Sequence, residues 1–296
     1  MTWTGVLAPV PTPFDDREEV DVPKLRAAIT RWVASPLDGI VVLGSSGEAP
    51  LLDEADADLV VASVRDVMPR GRVFVVGTGR ESTRAAIRAS RRAAELGADA
   101  VLVRTPGFFR SQMTTDALIR HFTAVADASP VPVLLYNFTG VTGVNLEPSA
   151  VAELASHPNI VGVKDSNGDL AQIAELVRAT PPEFRVFTGS SSTFHDAVSA
   201  GVSGGILALA CVLPDACRRL FDLAVQGRHD EARTLQQALT PLARLIGPVY
   251  GVAGLKAALK LAGTDVGGSR SPLVPLGDEG VAALRDALAR SHGVAA

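Results

Sequence analysis

The chain has 296 residues, 47% of them hydrophobic and 20% charged, which is ample length for a buried core and typical of soluble globular proteins. A net charge of −4, with the basic residues scattered, argues against nucleic acid as a principal partner. No apolar run approaches the roughly 20 residues of a membrane span, and the opening MTWTGVLAPVPTPF lacks the basic-then-apolar pattern of a signal peptide, so no membrane association is expected. Cys211 and Cys217, the only cysteines, fit buried thiols in a reduced, cytoplasmic protein.

Along the chain, short Val/Ile/Leu runs alternate with Ala/Arg/Glu-rich stretches of helical spacing. The strand-like runs are Gly5–Ala8, Gly39–Leu43, Val73–Val76, Ala100–Val103, Val133–Tyr136, Ile160–Val163, Arg185–Thr188 and Gly205–Ala208. Helices are predicted near Pro23–Ala34, Asp53–Val67, Ser82–Leu96, Thr114–Ala126, Pro148–Ala155, Leu170–Arg178, Ser192–Ser199 and Pro214–Val225. Continuous apolar strands separated by helices mark parallel βα units covered on both faces. Eight units at this length predict an α/β fold, a (β/α)8 TIM barrel over residues 1–226. Three more helical stretches, His229–Leu245, Tyr250–Ala262 and Asp278–Arg290, predict a C-terminal helical annex over residues 227–296, packed on the barrel. Gly77-Thr78-Gly79 lacks the third glycine of a dinucleotide fingerprint and reads as a turn.

In such a barrel, chemistry gathers at the carboxyl ends of the strands. Strand two ends in Gly44-Ser45-Ser46-Gly47-Glu48, a loop whose N–H groups and hydroxyls can converge on an oxyanion, although a plain turn has the same composition. Strand five ends in Tyr136-Asn137, placing a phenol where proton transfer would occur; a tyrosine at the rim of the core is the structural alternative. Strand six ends in Lys164, followed by Asp165-Ser166-Asn167-Gly168. An ammonium where the strand meets solvent over packed hydrocarbon is poorly solvated, which favours the free amine, a nucleophile toward carbonyls. The alternative is a snorkelling lysine. Of 28 basic residues only four are lysine (Lys24, Lys164, Lys256 and Lys260), and only Lys164 closes a strand-like run. Amine, phenol and oxyanion cradle on one face describe a class I aldolase site for a 2-oxo acid, in which the imine is the electron sink and neither metal nor other cofactor is needed. The five histidines show no metal-ligand spacing; His157, in a turn, and His195, in a helix, are expected at the surface or in capping roles.

The segments GVLAPVPTPF, GSSGEAPLL, VGTGRESTRAAI, ADAVLVRTP, PVLLYN, NIVGVKDS, FTGSS and GGILAL together resemble the dihydrodipicolinate synthase and N-acetylneuraminate lyase superfamily of pyruvate-dependent aldolases, from Gly5 to about Pro275. The resemblance implies that Lys164 forms the imine, that Tyr136 moves protons, and that Ser45 and Ser46 hold the pyruvate carboxylate, with Ser45 in the proton relay. It also implies that Gly189 and Ile206 line the site through backbone atoms, and that the protein is a homo-oligomer, a dimer of tight dimers with the contact beside the site. Two positions depart from the synthase pattern. Phe108 stands where synthases place a tyrosine that reaches into the partner subunit. Val141 stands where they place an arginine that binds the carboxylate of aspartate semialdehyde. HPNIVGVKDSNGD, the SP-x-PV-x-L-Y segment and YGVAGLKAAL are most similar to 4-hydroxy-2-oxoglutarate aldolases. That resemblance implies cleavage of such an oxo-diacid to pyruvate and glyoxylate. The alternatives are 4-hydroxy-tetrahydrodipicolinate synthase, and a non-catalytic barrel that binds a 2-oxo acid.

Overall fold

A computed structural model of the chain describes residues 3–295. Eight parallel strands close in sequence order: β1 (Gly5–Pro9), β2 (Gly39–Val42), β3 (Val73–Gly77), β4 (Ala100–Arg104), β5 (Val133–Asn137), β6 (Ile160–Asp165), β7 (Arg185–Thr188) and β8 (Gly204–Ile206). The helices around them are α1 (Val22–Val33), α2 (Glu54–Val67), α3 (Thr83–Glu95), α4 (Thr115–Ala128), the short α5 (Thr139–Thr142), α6 (Pro148–Leu154), α7 (Leu170–Ala179), α8 (Phe194–Ser199), the short α9 (Leu209–Val212) and α10 (Pro214–Val225). The (β/α)8 architecture is as the alternation of runs predicts.

Sequence chemistry explains five of the helix starts. Asp21, Ser82, Thr114 and Asp169 each accept a backbone N–H from the first turn of α1, α3, α4 and α7. Asp53 and Asp56 form a reciprocal capping box on α2. Alternation along the strands divides the apolar side chains into two cores. Leu7, Val41, Val75, Leu102, Leu134, Tyr136, Phe187 and Ile206 fill the barrel interior, and a larger cluster lies between sheet and helices.

The C-terminal helices α11 (His229–Arg244), α12 (Gly251–Leu261) and α13 (Asp278–Ala295) pack on one another and, through α10 and α9, on the barrel. The Gly247-Pro248 turn is wound into the chain as one π-type turn over Leu245–Val249, with Tyr250 N–H donating to Leu245 O at 2.9 Å. Two sequence expectations are corrected. The eighth strand stops at Ile206 and the chain enters α9, so Leu207 and Ala208 are not strand residues. His195 is buried in α8, hydrogen-bonded to Asp196 (3.0 Å) and to His229 (3.4 Å), because α11 covers the face that the local pattern leaves open. Cys211 and Cys217 are buried and free of disulfide, and burial pushes both thiols well above their usual range.

The seam between β1 and β8 needs glycine. Gly5 pairs with Gly204, and a Cβ on Gly204 would lie 1.9 Å from Gly5 O, in a backbone with φ of +155°. Beneath it the Asp38 carboxylate accepts Val6 N–H at 2.8 Å and pairs with Arg218 at 2.9 Å. Gly204→Ala is therefore expected to lower stability by at least about 1 kcal/mol, read as a drop in the urea midpoint without change in slope. An unchanged midpoint would show that the seam has room to open.

Candidate active site

The mouth of the barrel is built by strand register. Tyr136 on β5 pairs with Lys164 on β6, and Arg104 on β4 pairs with Tyr136, so the three lie level on adjacent strands. Residues paired in a parallel ladder face the same side, and Tyr136 belongs to the interior cluster, so the three share the interior face. Lys164 is the penultimate residue of β6, with Asp165 completing the strand, and it is only 4% exposed. It lies deeper than a residue closing the strand at the solvent boundary.

Lys164 Nζ sits 4.4 Å from the centroid of the Tyr136 ring, a contact that attracts an ammonium to the negative face of the ring. Among the described residues no carboxylate pairs with Lys164 and no group accepts a hydrogen bond from it. The Tyr136 hydroxyl lies 3.3 Å from Ser45 Oγ, which connects the lysine's neighbour to the loop after β2. Gly189 closes the other side: a Cβ there would stand 3.0 Å from Lys164 Cε and 1.9 Å from Ser166 Oγ, so only glycine lets the chain pass so near the lysine. Ile206 is buried in the same interior cluster as Tyr136.

The loop Gly44–Glu48 is a tight turn. Gly47 N–H donates to Gly44 O at 3.1 Å and Glu48 N–H to Ser45 O at 3.1 Å, while the Thr12 hydroxyl donates to Gly47 O at 2.7 Å. Leu43 and Glu48 bracket the turn with φ of +54° and +57°, a conformation that side chains other than glycine adopt at a cost. Among the described residues, the Ser45 and Ser46 backbone N–H groups and the Ser46 hydroxyl have no partner, and both serines are half-buried. These donors, together with the Ser45 hydroxyl, could hold a carboxylate.

The structure thus gathers Lys164, Tyr136, Ser45, Ser46, Gly189 and Ile206 around one mouth. It does not bring Phe108 or Val141 there. Phe108 is 78% exposed, stacked edge-on against the equally outward Phe109 with centroids 5.0 Å apart, and Val141 is exposed on α5.

Several residues of the site escape sequence reasoning. Asp165 is fully buried behind Lys164, and its carboxylate accepts hydrogen bonds from Gln172 Nε2 (2.7 Å), Asn137 Nδ2 (2.9 Å), Asn167 Nδ2 (3.2 Å) and Asn167 N–H (2.9 Å). Burial raises its pKa against the pull of those donors. Asn145 joins the cluster through Asn137 and Gln172, so the network ties the loop after β5 to the start of α7. Glu48, which reads in the sequence as the end of a loop, is buried and paired at 2.6 Å with Lys256 of α12. Arg104 pairs with Glu81 at 2.7 Å, and Glu81 also accepts Gly107 and Phe108 N–H groups at 3.0 and 2.9 Å, pinning the backbone of the strand-four loop. The only signal for these was a carboxylate beside a strand-end lysine or inside a turn.

An amine without a counter-ion, a phenol beside it and a cluster of free donors make a site for a small carboxylate bearing a carbonyl, at the mouth of a (β/α)8 barrel. The chain matches the dihydrodipicolinate synthetase family over residues 2–291, and it belongs to that family. It is 38% identical over 277 residues to a 4-hydroxy-tetrahydrodipicolinate synthase of Xanthomonas campestris, covering 93% of this chain and 90% of the relative. It is 35% identical over 292 residues to a probable mitochondrial 4-hydroxy-2-oxoglutarate aldolase of Emericella nidulans, covering 97% and 94%. The dihydrodipicolinate synthase of Acinetobacter baumannii, solved in complex with pyruvate, superposes with a TM-score of 0.92 at 30% identity, covering 98% of this chain and 99% of that one. Several further relatives carry the synthase name. The protein is an enzyme of the lyase class, in a family of pyruvate-dependent aldolases and synthases. Among the described residues no helix is long and apolar enough to cross a membrane.

Near Arg104, His121 of α4 is buried with Nδ1 2.9 Å from Thr83 Oγ1 and Nε2 unpartnered. Burial, aided by the Arg104 charge, lowers its pKa from 6.5 to about 4. The unfolded chain binds this proton at higher pH than the folded one. The stability is therefore present above pH 6.5 and lost as pH falls toward 4, a loss on the order of 3 kcal/mol. Replacing His121 with Gln should flatten the stability profile between those limits. An unaltered slope in urea melts taken across that range would exclude His121 as its source.

Proposed function

We propose that the protein is a Schiff-base enzyme acting on pyruvate, with Lys164 as the nucleophile. The observation that carries this is the contact of a buried, unpaired Lys164 Nζ with the Tyr136 ring, whose hydroxyl meets Ser45. In this reading the Lys164 amine adds to the ketone carbon of pyruvate, water leaves, and a protonated imine forms. The Ser45 and Ser46 donors hold the adjacent carboxylate. Tyr136, relayed through Ser45, carries the proton lost from the methyl carbon as the enamine forms, and returns one after the carbon–carbon bond is made or broken. Gly189 and Ile206 shape the wall. Phe108, Phe109 and Val141 form outward-facing apolar surface on neighbouring loops, which supports assembly into a homo-oligomer beside the site.

For the second substrate, the names of the relatives favour the synthase reading, condensation of the enamine with aspartate semialdehyde, over the aldolase reading that the sequence segments suggest. One observation keeps the second reading alive. Val141 is apolar and faces outward, so it offers no charge to the carboxylate of aspartate semialdehyde. Cleavage of 4-hydroxy-2-oxoglutarate to pyruvate and glyoxylate uses the same lysine chemistry in the opposite direction.

Borohydride reduction in the presence of pyruvate should add one pyruvate-derived unit per chain by intact mass, and Lys164→Ala should abolish it. No adduct on the wild type, or the same adduct on the variant, would overturn the reading. Tyr136→Phe should still trap the adduct while turnover falls by roughly 100-fold or more. A coupled assay with aspartate semialdehyde against one with 4-hydroxy-2-oxoglutarate decides the partner. Turnover of the first alone establishes the synthase, turnover of the second alone the aldolase, and imine formation with turnover of neither leaves a binding barrel.

A further inference from the structure

The loop bearing Ser45 and Ser46 is held from outside the barrel. Its last residue, Glu48, has a side chain with no solvent exposure, and Lys256 of α12 is 3% exposed. Lys256 Nζ approaches Glu48 Oε1 to 2.6 Å as an ion pair rather than an aligned hydrogen bond, and donates to Gly268 O at 2.6 Å. The other carboxylate oxygen of Glu48 accepts Arg270 N–H at 2.9 Å. Phe14, from the loop after β1, is the floor of this joint: Lys256 Nζ and the Arg270 guanidinium each lie 4.5 Å from its ring centroid. Arg270 also pairs with Asp56 of α2 and donates to Leu51 O at 3.1 Å and Glu18 O at 2.9 Å. Segments from the first, second and last parts of the chain therefore meet at one carboxylate.

A joint of this kind is an expensive way to gain stability. Two charges taken out of water lose hydration that their attraction only partly restores, and an apolar pair of similar volume often serves as well. Here the ion pair fixes the one residue of the loop that must stay at positive φ, three positions from Ser45 and two from Ser46. We propose that Glu48 and Lys256 are positioning residues for the carboxylate cradle, through which α12 sets the affinity of the site for pyruvate. The inference rests on the Schiff-base reading, because it takes Ser45 and Ser46 to be the carboxylate's partners. Neither residue is argued to touch substrate; both act through the turn.

The test compares Lys256→Met, which keeps most of the volume and removes the charge, with Leu239→Ala, a core truncation in α11 away from the cradle. Adduct formation is titrated with pyruvate under borohydride, well below each variant's melting temperature. Lys256→Met should raise the half-saturating pyruvate concentration roughly 10- to 100-fold while reaching the wild-type adduct stoichiometry at saturation. Leu239→Ala should melt lower and leave half-saturation where it is. Glu48→Gln, which keeps an acceptor for Arg270 N–H, should shift half-saturation in the same direction, and the Glu48→Gln, Lys256→Met pair should be no worse than the worse single variant. Should Lys256→Met fail to fold, Glu48→Gln carries the same readout. Half-saturation within about twofold of wild type in the folded variants, whatever the melting temperature, overturns the inference and leaves the Schiff-base reading intact. A wild type that forms no adduct overturns that reading, and this inference with it.

Discussion

The parallel register of β5 against β6 is the constraint from which the site follows. It sets Tyr136 beside Lys164 and Asn137 beside Asp165, and because side chains alternate, the first pair faces the interior and the second faces the helices. One frame of pairing thus puts an amine and a phenol at the mouth of the barrel, and on the reverse side the amide and carboxylate that lock the two strand ends together. Slipping the register by one residue would exchange the pairs and place the carboxylate in the mouth. The Asn137–Asp165 hydrogen bond opposes such a slip, since it forms across the two strands only when they stand level, while Asn167 and Gln172 hold the same carboxylate in place.

Three buried ionisable groups near the mouth are treated in three different ways. Asp165 is surrounded by neutral donors, and burial raises its pKa without any cation to offset it. Lys256 has a full counter-charge in Glu48, yet burial still lowers its pKa. Lys164 has neither a carboxylate nor an acceptor among the described residues, only an aromatic face. In the proposed reading, the carboxylate of the bound oxo acid supplies the charge that this buried amine lacks in the protein itself. Both lysines lie against an aromatic ring, and only Lys256 has a carboxylate beside it among the described residues.

Much of this was readable from the sequence, for physical reasons. The strands are mostly buried on both faces and so appear as apolar runs, and Lys164, Tyr136 and Ser45 are recognisable because Tyr136 ends such a run, Lys164 follows one directly and Ser45 stands two residues beyond one. The Glu48–Lys256 joint was not, because it links a turn after β2 to a helix late in the chain; nothing local distinguishes Lys256 from Lys260, one helical turn away. The burial of His195 was hidden for the same reason, since α11 supplies its cover. The end of β8 is not legible in the sequence because Ile206-Leu207-Ala208 continues the apolar pattern while the backbone turns into α9. Composition marks burial, but only tertiary packing decides whether a buried stretch is strand or helix.

The two departures at Phe108 and Val141 are explained by where those residues stand. Both lie on the loops after β4 and β5, exposed, while the backbone beneath them is tightly held: Glu81 anchors the Phe108 N–H, and a Cβ on Gly107 would lie 2.7 Å from Thr142 O. The frame of the loops is thus fixed, and the side chains that they present are free to change without disturbing Lys164, Tyr136 or the serine turn. In the proposed reading, pyruvate chemistry resides in strand ends and a clamped turn, which the register and the Glu48–Lys256 pair hold in place. In the same reading, choice of the second substrate falls to side chains at the rim, where substitution costs little. In that reading a chain can be 38% identical to a synthase and 35% identical to a probable aldolase while its loop frames and strand ends hold the same site.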